Sequence, residues 1–247
     1  MISAAESHVG CRRSNNEDSY LAAPEQGLFV VCDGMGGHEL GELASRLAVE
    51  AIRAHLDRPG ALSETGEDEK LDASVLAAAI HDAHCRVRDE SEARDLSVHM
   101  GTTVVVALVR GDRALVANVG DSRAYLIGPD AHRRITDDHT VARLYAQAGI
   151  INEEDIGSHP MRGVLVRCLG APEGCEADTT LVAFERGDRL LLCSDGLTEM
   201  LAEDDLANIV RAGRDPESAA KALVAAALEA GGRDNVTVVV IERPAKG

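Results

Sequence analysis

Residues Thr102 to Asp121 read TTVVVALVRGDRALVANVGD. Two β-branched apolar runs, each long enough for a strand, flank Gly111-Asp112, and a Gly-Asp pair between such runs is the chemistry of a tight hairpin turn. The second run ends on a carboxylate, Asp121. A look-alike stretch at Thr179 to Gly196, TTLVAFERGDRLLLCSDG, is expected by the same reasoning to form a second hairpin, turning at Gly187-Asp188 and ending at Asp195. Strands that arrive in hairpins favour antiparallel sheets over the β-α-β alternation of a parallel one.

Working outward, Gly27 to Cys32 is a short β-rich run punctuated by Gly34, Gly36 and Gly37. Glu39 to Leu56 then places Leu40, Leu43, Leu47 and Ile52 at helical spacing. A second helix is expected with Asp72 as its N-cap and an apolar stripe of Val75, Leu76, Ala79, Ile80, Ala83 and Val87. Asp57 to Lys70 between them reads as a loop. Further helices are expected over Thr140 to Ala148, Glu203 to Ala212 and Pro216 to Ala230, with Asp137, Asp138 and His139 as cap and first-turn residues of the first of these. Ser19 to Ala22 and Val236 to Ile241 read as strands. Paired helices and paired strands together predict a layered α+β fold, one domain over residues 1–247.

Composition excludes several function classes. The chain has 247 residues with 25 Lys and Arg against 42 Asp and Glu, a net charge of -17. Such a charge repels nucleic-acid phosphates and anionic lipid while favouring divalent cations. At 2% aromatic with no Trp, stacking platforms for bases are scarce too. No apolar run approaches the roughly 18 residues of a membrane span, and no basic segment with an apolar stretch opens the chain. Cys11, Cys32, Cys85, Cys168, Cys175 and Cys193 form no C-x-x-C pair and read as reduced small hydrophobes. A cytoplasmic monomer without nucleic-acid or membrane partners is expected.

The strand ends carry the chemistry. Leu28 to Cys32 runs into Asp33-Gly34, Leu115 to Val119 into Gly120-Asp121, and Leu190 to Ser194 into Asp195-Gly196. Asp234-Asn235 precedes the last strand, which brings it to the same edge if that strand runs antiparallel. Any one Asp-Gly pair is ordinary turn chemistry. Four converging carboxylates repel one another, and a hard cation with oxygen ligands, Mg²⁺ or Mn²⁺, is the economical reason to gather them. The glycines would let backbone approach such an ion.

A set of ordered motifs extends this pattern: Arg13-x-x-Asn16-Glu17-Asp18, Val31 to His38, Met100-Gly101-Thr102-Thr103, Gly120-Asp121-Ser122-Arg123, Ser194-Asp195-Gly196-Leu197 and Asp234-Asn235-Val236-Thr237. From about Val9 to Ile241 the chain resembles the bacterial PP2C-type, metal-dependent Ser/Thr protein phosphatases. The resemblance implies a four-layer α-β-β-α sandwich, two antiparallel sheets flanked by helix pairs, and hydrolysis of phosphoserine and phosphothreonine by a metal-activated hydroxide. It makes Asp33 the carboxylate bridging two Mn²⁺ or Mg²⁺ ions, with the Gly34 carbonyl on one and Asp195 and Asp234 on the other. Asp121 becomes a ligand of a third, weaker ion, Glu17 and Asp18 acidic positions that hold metal or its waters, and Arg13 the phosphate clamp. Phosphorylated proteins, substrates of a Ser/Thr kinase, are the implied partners, and residues 150–172 correspond to a variable flap beside the site.

One position departs from that pattern. Some members carry His after the Asp-Gly pair as general acid, whereas here Met35 stands there and cannot donate a proton, which leaves water as the candidate. His38 reads as a helix-start residue. A phosphoprotein-binding pseudophosphatase is the alternative reading, and a small-molecule phosphatase a weaker one. A cysteine phosphatase is excluded, because no Cys has Arg six residues on. The near-match to a serine-hydrolase elbow at Gly120 to Ala124 fails because strand, not helix, is expected after Ser122. His38-Glu39 does not extend to H-E-x-x-H, since position 42 is Glu42. His81 and His84 read as helix-flank residues, not a metal pair.

Overall fold

The computed structural model describes residues 1–37, 39–60, 73–94, 100–172 and 175–244. Strands β1 (Ile2–His8), β2 (Asp18–Ala23) and β3 (Leu28–Met35) lead into helices α1 (Glu39–Leu56) and α2 (Ala73–Ala93). Then follow β4 (Gly101–Thr102), β5 (Val104–Arg110), β6 (Arg113–Val119), β7 (Arg123–Ile127) and β8 (His132–Arg134). Helix α3 (Val141–Gln147) and a 3-10 turn (Glu153–Ser158) precede β9 (Asp178–Ala183) and β10 (Arg189–Cys193). Helices α4 (Asp195–Thr198), α5 (Glu203–Ala212) and α6 (Pro216–Glu229) come before β11 (Val236–Glu242). Most of the expected loop from Asp57 to Lys70, the expected Asp72 cap and His38 lie outside the described residues.

Among the described residues the strands form two antiparallel sheets, one ordered β1-β11-β10-β7-β8, the other β2-β3-β5-β6-β9 with β4 on the end of β3. Their facing sides bury Phe29, Val31, Val105, Val116, Leu190, Leu192, Val239 and Ile241 as a middle core. The outer side of the second sheet packs Val30, Cys32 and Val106 under the stripes of α1 and α2, where Leu47, Ile52, Leu76 and Ile80 are buried. The outer side of the first sheet does the same with Leu191, Val238 and Val240 under α5 and α6. Alternate residues of one strand therefore feed two cores, as strand periodicity requires. The four layers are those the resemblance implies.

The first hairpin forms as read, with β5 paired to β6 and Gly111 left-handed at the turn (φ 54°). The second does not. β9 pairs with β6, while β10 sits between β11 and β7 in the other sheet. The turn chemistry is genuine: the Asp188 carboxylate accepts the Glu185 amide at 2.8 Å, and Gly187 is left-handed (φ 91°). Its neighbours, however, belong to different sheets. The Phe184 amide donates to Asp112 at 2.8 Å, the Gly187 amide to Arg243 at 2.8 Å. The turn thus carries the chain from one sheet to the other. β1 was not anticipated, because ISAAESH has no apolar alternation; it pairs with β11 from Ile2↔Glu242 to His8↔Val236. The cap of α3 also differs from expectation. Thr140 takes that place, accepting the Arg143 amide, while Asp137 and Asp138 pair with Arg143 and Arg123.

Candidate active site

All the strand ends singled out in the sequence meet on one edge of the sandwich. Asp18 and Asp33 are register partners across β2 and β3. The Asp33 amide donates to Thr103 Oγ1 at 3.0 Å, and its carbonyl accepts the Thr103 amide at 2.9 Å and Thr102 Oγ1 at 2.8 Å. These bonds fix the backbone that aims the Asp33 carboxylate. Asp195 opens α4 directly after β10, and Asp234 immediately precedes Asn235 and β11. Asn235 ties the N-terminal segment to this edge: its Nδ2 donates to the Val9 and Asn15 carbonyls, both at 2.9 Å, and its Oδ1 accepts the Glu17 amide at 2.8 Å. Ser194 donates to Asp18 Oδ2 at 2.8 Å while accepting the Thr237 amide at 3.0 Å.

The glycines beside the aspartates serve packing. A Cβ on Gly34 would stand 2.0 Å from the Gly41 carbonyl of α1, and one on Gly196 would stand 1.9 Å from the Asn235 carbonyl. What they admit in this structure is neighbouring backbone.

The result is a cleft of about 580 Å³ lined by Arg13, Glu17, Asp33, Gly34, Asp121, Asp195 and Asp234, with Leu165 and Cys168 on one wall. Every predicted site residue except Asp18 lines it; Asp18, the cross-strand partner of Asp33, is buried. Met35 lines it too, at the position where an acid was sought. Arg13 is half exposed and places Nη2 2.7 Å from Asp234 Oδ2, which raises its pKa through that hydrogen bond.

Crowded carboxylates in a buried place hold on to protons. Burial, with the charges of Asp195 and Asp234 added, pushes Asp18 up to about 7 against the opposing hydrogen bonds from Thr237 and Ser194. Burial and then the charges of Asp234 and Glu199 push Asp195 up to about 6. Asp33 is raised well above the usual carboxylate range by burial and by Asp18, Asp195 and Asp121, and Asp121 by burial, Asp195 and Asp138.

This donor set fits a hard divalent cation. The donors are carboxyl oxygens, and among the described residues Asp18 Oδ1 and Asp195 Oδ1 are buried with no hydrogen-bond partner. Among those residues no three His, Cys, Asp or Glu side chains are already disposed as a closed metal cage. A Mg²⁺-like ion does not need one, since it keeps several waters and takes only one or two carboxylates.

Sequence reasoning missed the roles of Thr103, Ser194 and Asn235. All three sit inside quoted motifs, and their signal is a polar side chain next to a buried strand end. His81 and His84 stack with ring centres 6.3 Å apart, and the buried His84 accepts the Gly170 amide.

An antiparallel α-β-β-α sandwich with a carboxylate-lined cleft at its edge defines a class of metal-dependent phosphatase. Residues 7–230 match the family described as protein phosphatase 2C, and the chain belongs to it. Within that family it is a bacterial-type protein-serine/threonine phosphatase. The serine/threonine phosphatase stp of Listeria innocua is 36% identical over 234 residues, 94% of this chain and 91% of that protein. The crystal structure of the Mycobacterium tuberculosis serine/threonine phosphatase PstP/Ppp superposes with a TM-score of 0.87 at 35% identity, covering 99% of each chain. The catalytic domain of PstP in complex with two manganese ions gives 0.81 at 35% identity, over 97% of this chain and 96% of that one. Among the described residues no helix is long and apolar enough to cross a membrane.

Proposed function

We propose that this phosphatase works at the cleft lined by Arg13, Glu17, Asp33, Asp121, Asp195 and Asp234, the whole chain acting as one catalytic domain. Asp33 and the Gly34 carbonyl, with Asp195 and Asp234, would hold two Mn²⁺ or Mg²⁺ ions, Asp33 bridging them; Asp121 would serve a third, and Glu17 and Asp18 would hold ion or water. Such a pair, when bound, supplies a strong nucleophile from water at neutral pH and offsets charge on the attacking and leaving oxygens. The observation that carries this reading is the gathering of Glu17, Asp33, Asp121, Asp195 and Asp234 on one cleft, beside the unpartnered buried oxygens of Asp18 and Asp195.

Each remaining residue does work that its geometry permits. Arg13 has donors beyond the one spent on Asp234, and its planar fork suits phosphoryl oxygens. Thr103, Ser194 and Asn235 hold the acids in place. Met35 cannot release a proton, so the leaving alkoxide takes its proton from water in the cleft. Residues 150–172 contribute a wall and bear on substrate choice. The substrates would be proteins phosphorylated by a Ser/Thr kinase; the unpaired cysteines among the described residues suit a reducing, cytoplasmic setting.

Phosphate release from a phosphothreonine peptide, followed across Mn²⁺ concentration, tests the assignment. Asp33→Asn is expected to lower kcat by several orders of magnitude, because loss of a bridging ligand disturbs both ions. Asp121→Asn is expected mainly to raise the Mn²⁺ requirement. Equal, mild effects of both would sink it, and faster turnover of sugar phosphates than of phosphopeptide would move the substrate class.

A further inference from the structure

Among the buried polar residues that the proposed site does not use, His139 lies next to it. His139 is 6% exposed and lies between Asp138 and the Thr140 cap of α3, yet its contacts are not with that helix. Its amide donates to the Gly120 carbonyl at 2.9 Å, and its Nδ1 accepts the Gly120 amide at 3.1 Å. An imidazole nitrogen that accepts carries no proton, so the ring is neutral and its hydrogen sits on Nε2. That nitrogen is 3.2 Å from Asp178 Oδ2, to which it donates.

Gly120 is the residue before Asp121. It is left-handed (φ 104°), and a Cβ there would stand 2.6 Å from the Thr103 methyl group. The residue after Asp121 is also held, by Ser122 Oγ and Thr103 Oγ1 at 2.7 Å. The turn presenting Asp121 is therefore clamped on one side by Thr103, which also holds Asp33, and on the other by His139. The clamp has an outer brace: Arg167 donates to Asp178 Oδ1 at 3.0 Å, and the Val166 amide donates to the His139 carbonyl at 2.8 Å.

We infer that His139 is a positioning residue for Asp121, its Nδ1 fixing the turn that carries this carboxylate into the cleft. The inference rests on the reading of Asp121 as a metal ligand. It assigns a purpose to burying an unprotonated imidazole against a main-chain amide. Residues that orient metal ligands in this indirect way typically govern affinity by about 10- to 100-fold.

Two isosteric replacements separate the acceptor from the ring. In His139→Asn the side-chain oxygen can take the place of Nδ1 and keep the Gly120 amide, whereas in His139→Gln the amide group takes the place of Nε2 and leaves that amide unpaired. Mn²⁺ binding to the full chain would be measured by titration calorimetry without substrate, alongside the Mn²⁺ dependence of phosphate release. His139→Gln is expected to weaken the weakest Mn²⁺ event by about 10- to 100-fold, as Asp121→Asn does, and His139→Asn to stay within a few-fold of the parent. In an Asp121→Asn background His139→Gln should add nothing. Equal losses in Gln and Asn would overturn the inference by pointing to ring packing, as would additive losses in the double variant. Should Asp121→Asn weaken Mn²⁺ while His139→Gln does not, the inference alone falls. If Asp121→Asn leaves every Mn²⁺ event intact, the reading of Asp121 falls first and the inference with it.

Discussion

Asp18→Asn should stabilise the metal-free protein, although it removes an acid from the proposed site. Asp18 is 8% exposed, and burial among Asp33, Asp195 and Asp234 lifts its pKa from 3.8 to about 7. A rise of about three units is worth about 4 kcal/mol against the ionised form at 1.36 kcal/mol per unit. The sign follows from which state binds more protons. Below pH 4 the group is protonated in both states and costs nothing. As pH rises the unfolded chain ionises first, so the folded state progressively loses stability until about pH 7 and stays penalised above it. The Asn oxygen keeps the Ser194 hydroxyl, and its NH₂ faces carboxylates that can accept it. Allowing about 1 kcal/mol for imperfect exchange of hydrogen bonds, the variant should gain about 2 to 4 kcal/mol at pH 8. For a chain of this length that is roughly 4 to 16 °C in Tm. Thermal unfolding by circular dichroism in EDTA at pH 8 and pH 5 measures it. At pH 5, only about one unit above the unfolded pKa, the penalty falls to between about 1 and 2 kcal/mol, so after the same allowance the gain should shrink to below about 1 kcal/mol. A variant no more stable than the parent at pH 8, or a gain equal at both pH values, would refute the reasoning.

Chelation of the parent should lower Tm: at free Mn²⁺ near 100 times Kd, one site contributes about 2.7 kcal/mol, or roughly 5 to 11 °C here. Asp33→Asn should remove most of that shift, and an unchanged midpoint at activating Mn²⁺ would mean that the carboxylates form no common site. Arg13→Ala should raise KM for phosphopeptide by about 10- to 150-fold, the worth of a charge-assisted contact of about 1.5 to 3 kcal/mol. Because Arg13 occupies Asp234, calorimetric Mn²⁺ affinity should not fall; a weakened ion with unchanged KM would make the arginine structural. Gly196→Ala should cost at least about 1 to 3 kcal/mol in urea unfolding, since its methyl meets a main-chain carbonyl that cannot swing aside. A neutral result would show that α4 and the Asn235 segment shift apart easily.

The site was largely legible because its residues sit at strand ends, where an Asp after an apolar run stands out. Asp33, Asp121 and Asp195 stand out that way and Asp234 by its place just before the last strand, and their convergence follows from the antiparallel order of β3, β5 and β6 and of β10 and β11. The layers were legible from helix and strand periods. What stayed hidden depends on partners far away in the chain. Gly187-Asp188 has the same local chemistry as Gly111-Asp112, yet only the latter closes a hairpin, because β6 and β11 decide where β9 and β10 go. β1 has no apolar rhythm and exists by pairing with β11. Thr103 and His139 look like any loop polar group until the fold buries them against Asp33 and Gly120.

The pairing of β1 with β11 also has a consequence in time. Asp18 and Asp33 come from one sheet, Asp195 and Asp234 from the other, and Asn235, at the threshold of β11, bonds back to Val9, Asn15 and Glu17. Synthesis runs from the N-terminus at about 5 to 20 residues per second. A growing chain therefore carries its first acids and its arginine long before the strand that completes their surroundings leaves the ribosome. Until β11 emerges and inserts between β1 and β10, the acids of the two halves have no reason to meet. Chains that lack β11 are thus expected to be inert, and catalysis switches on only once β11 has inserted.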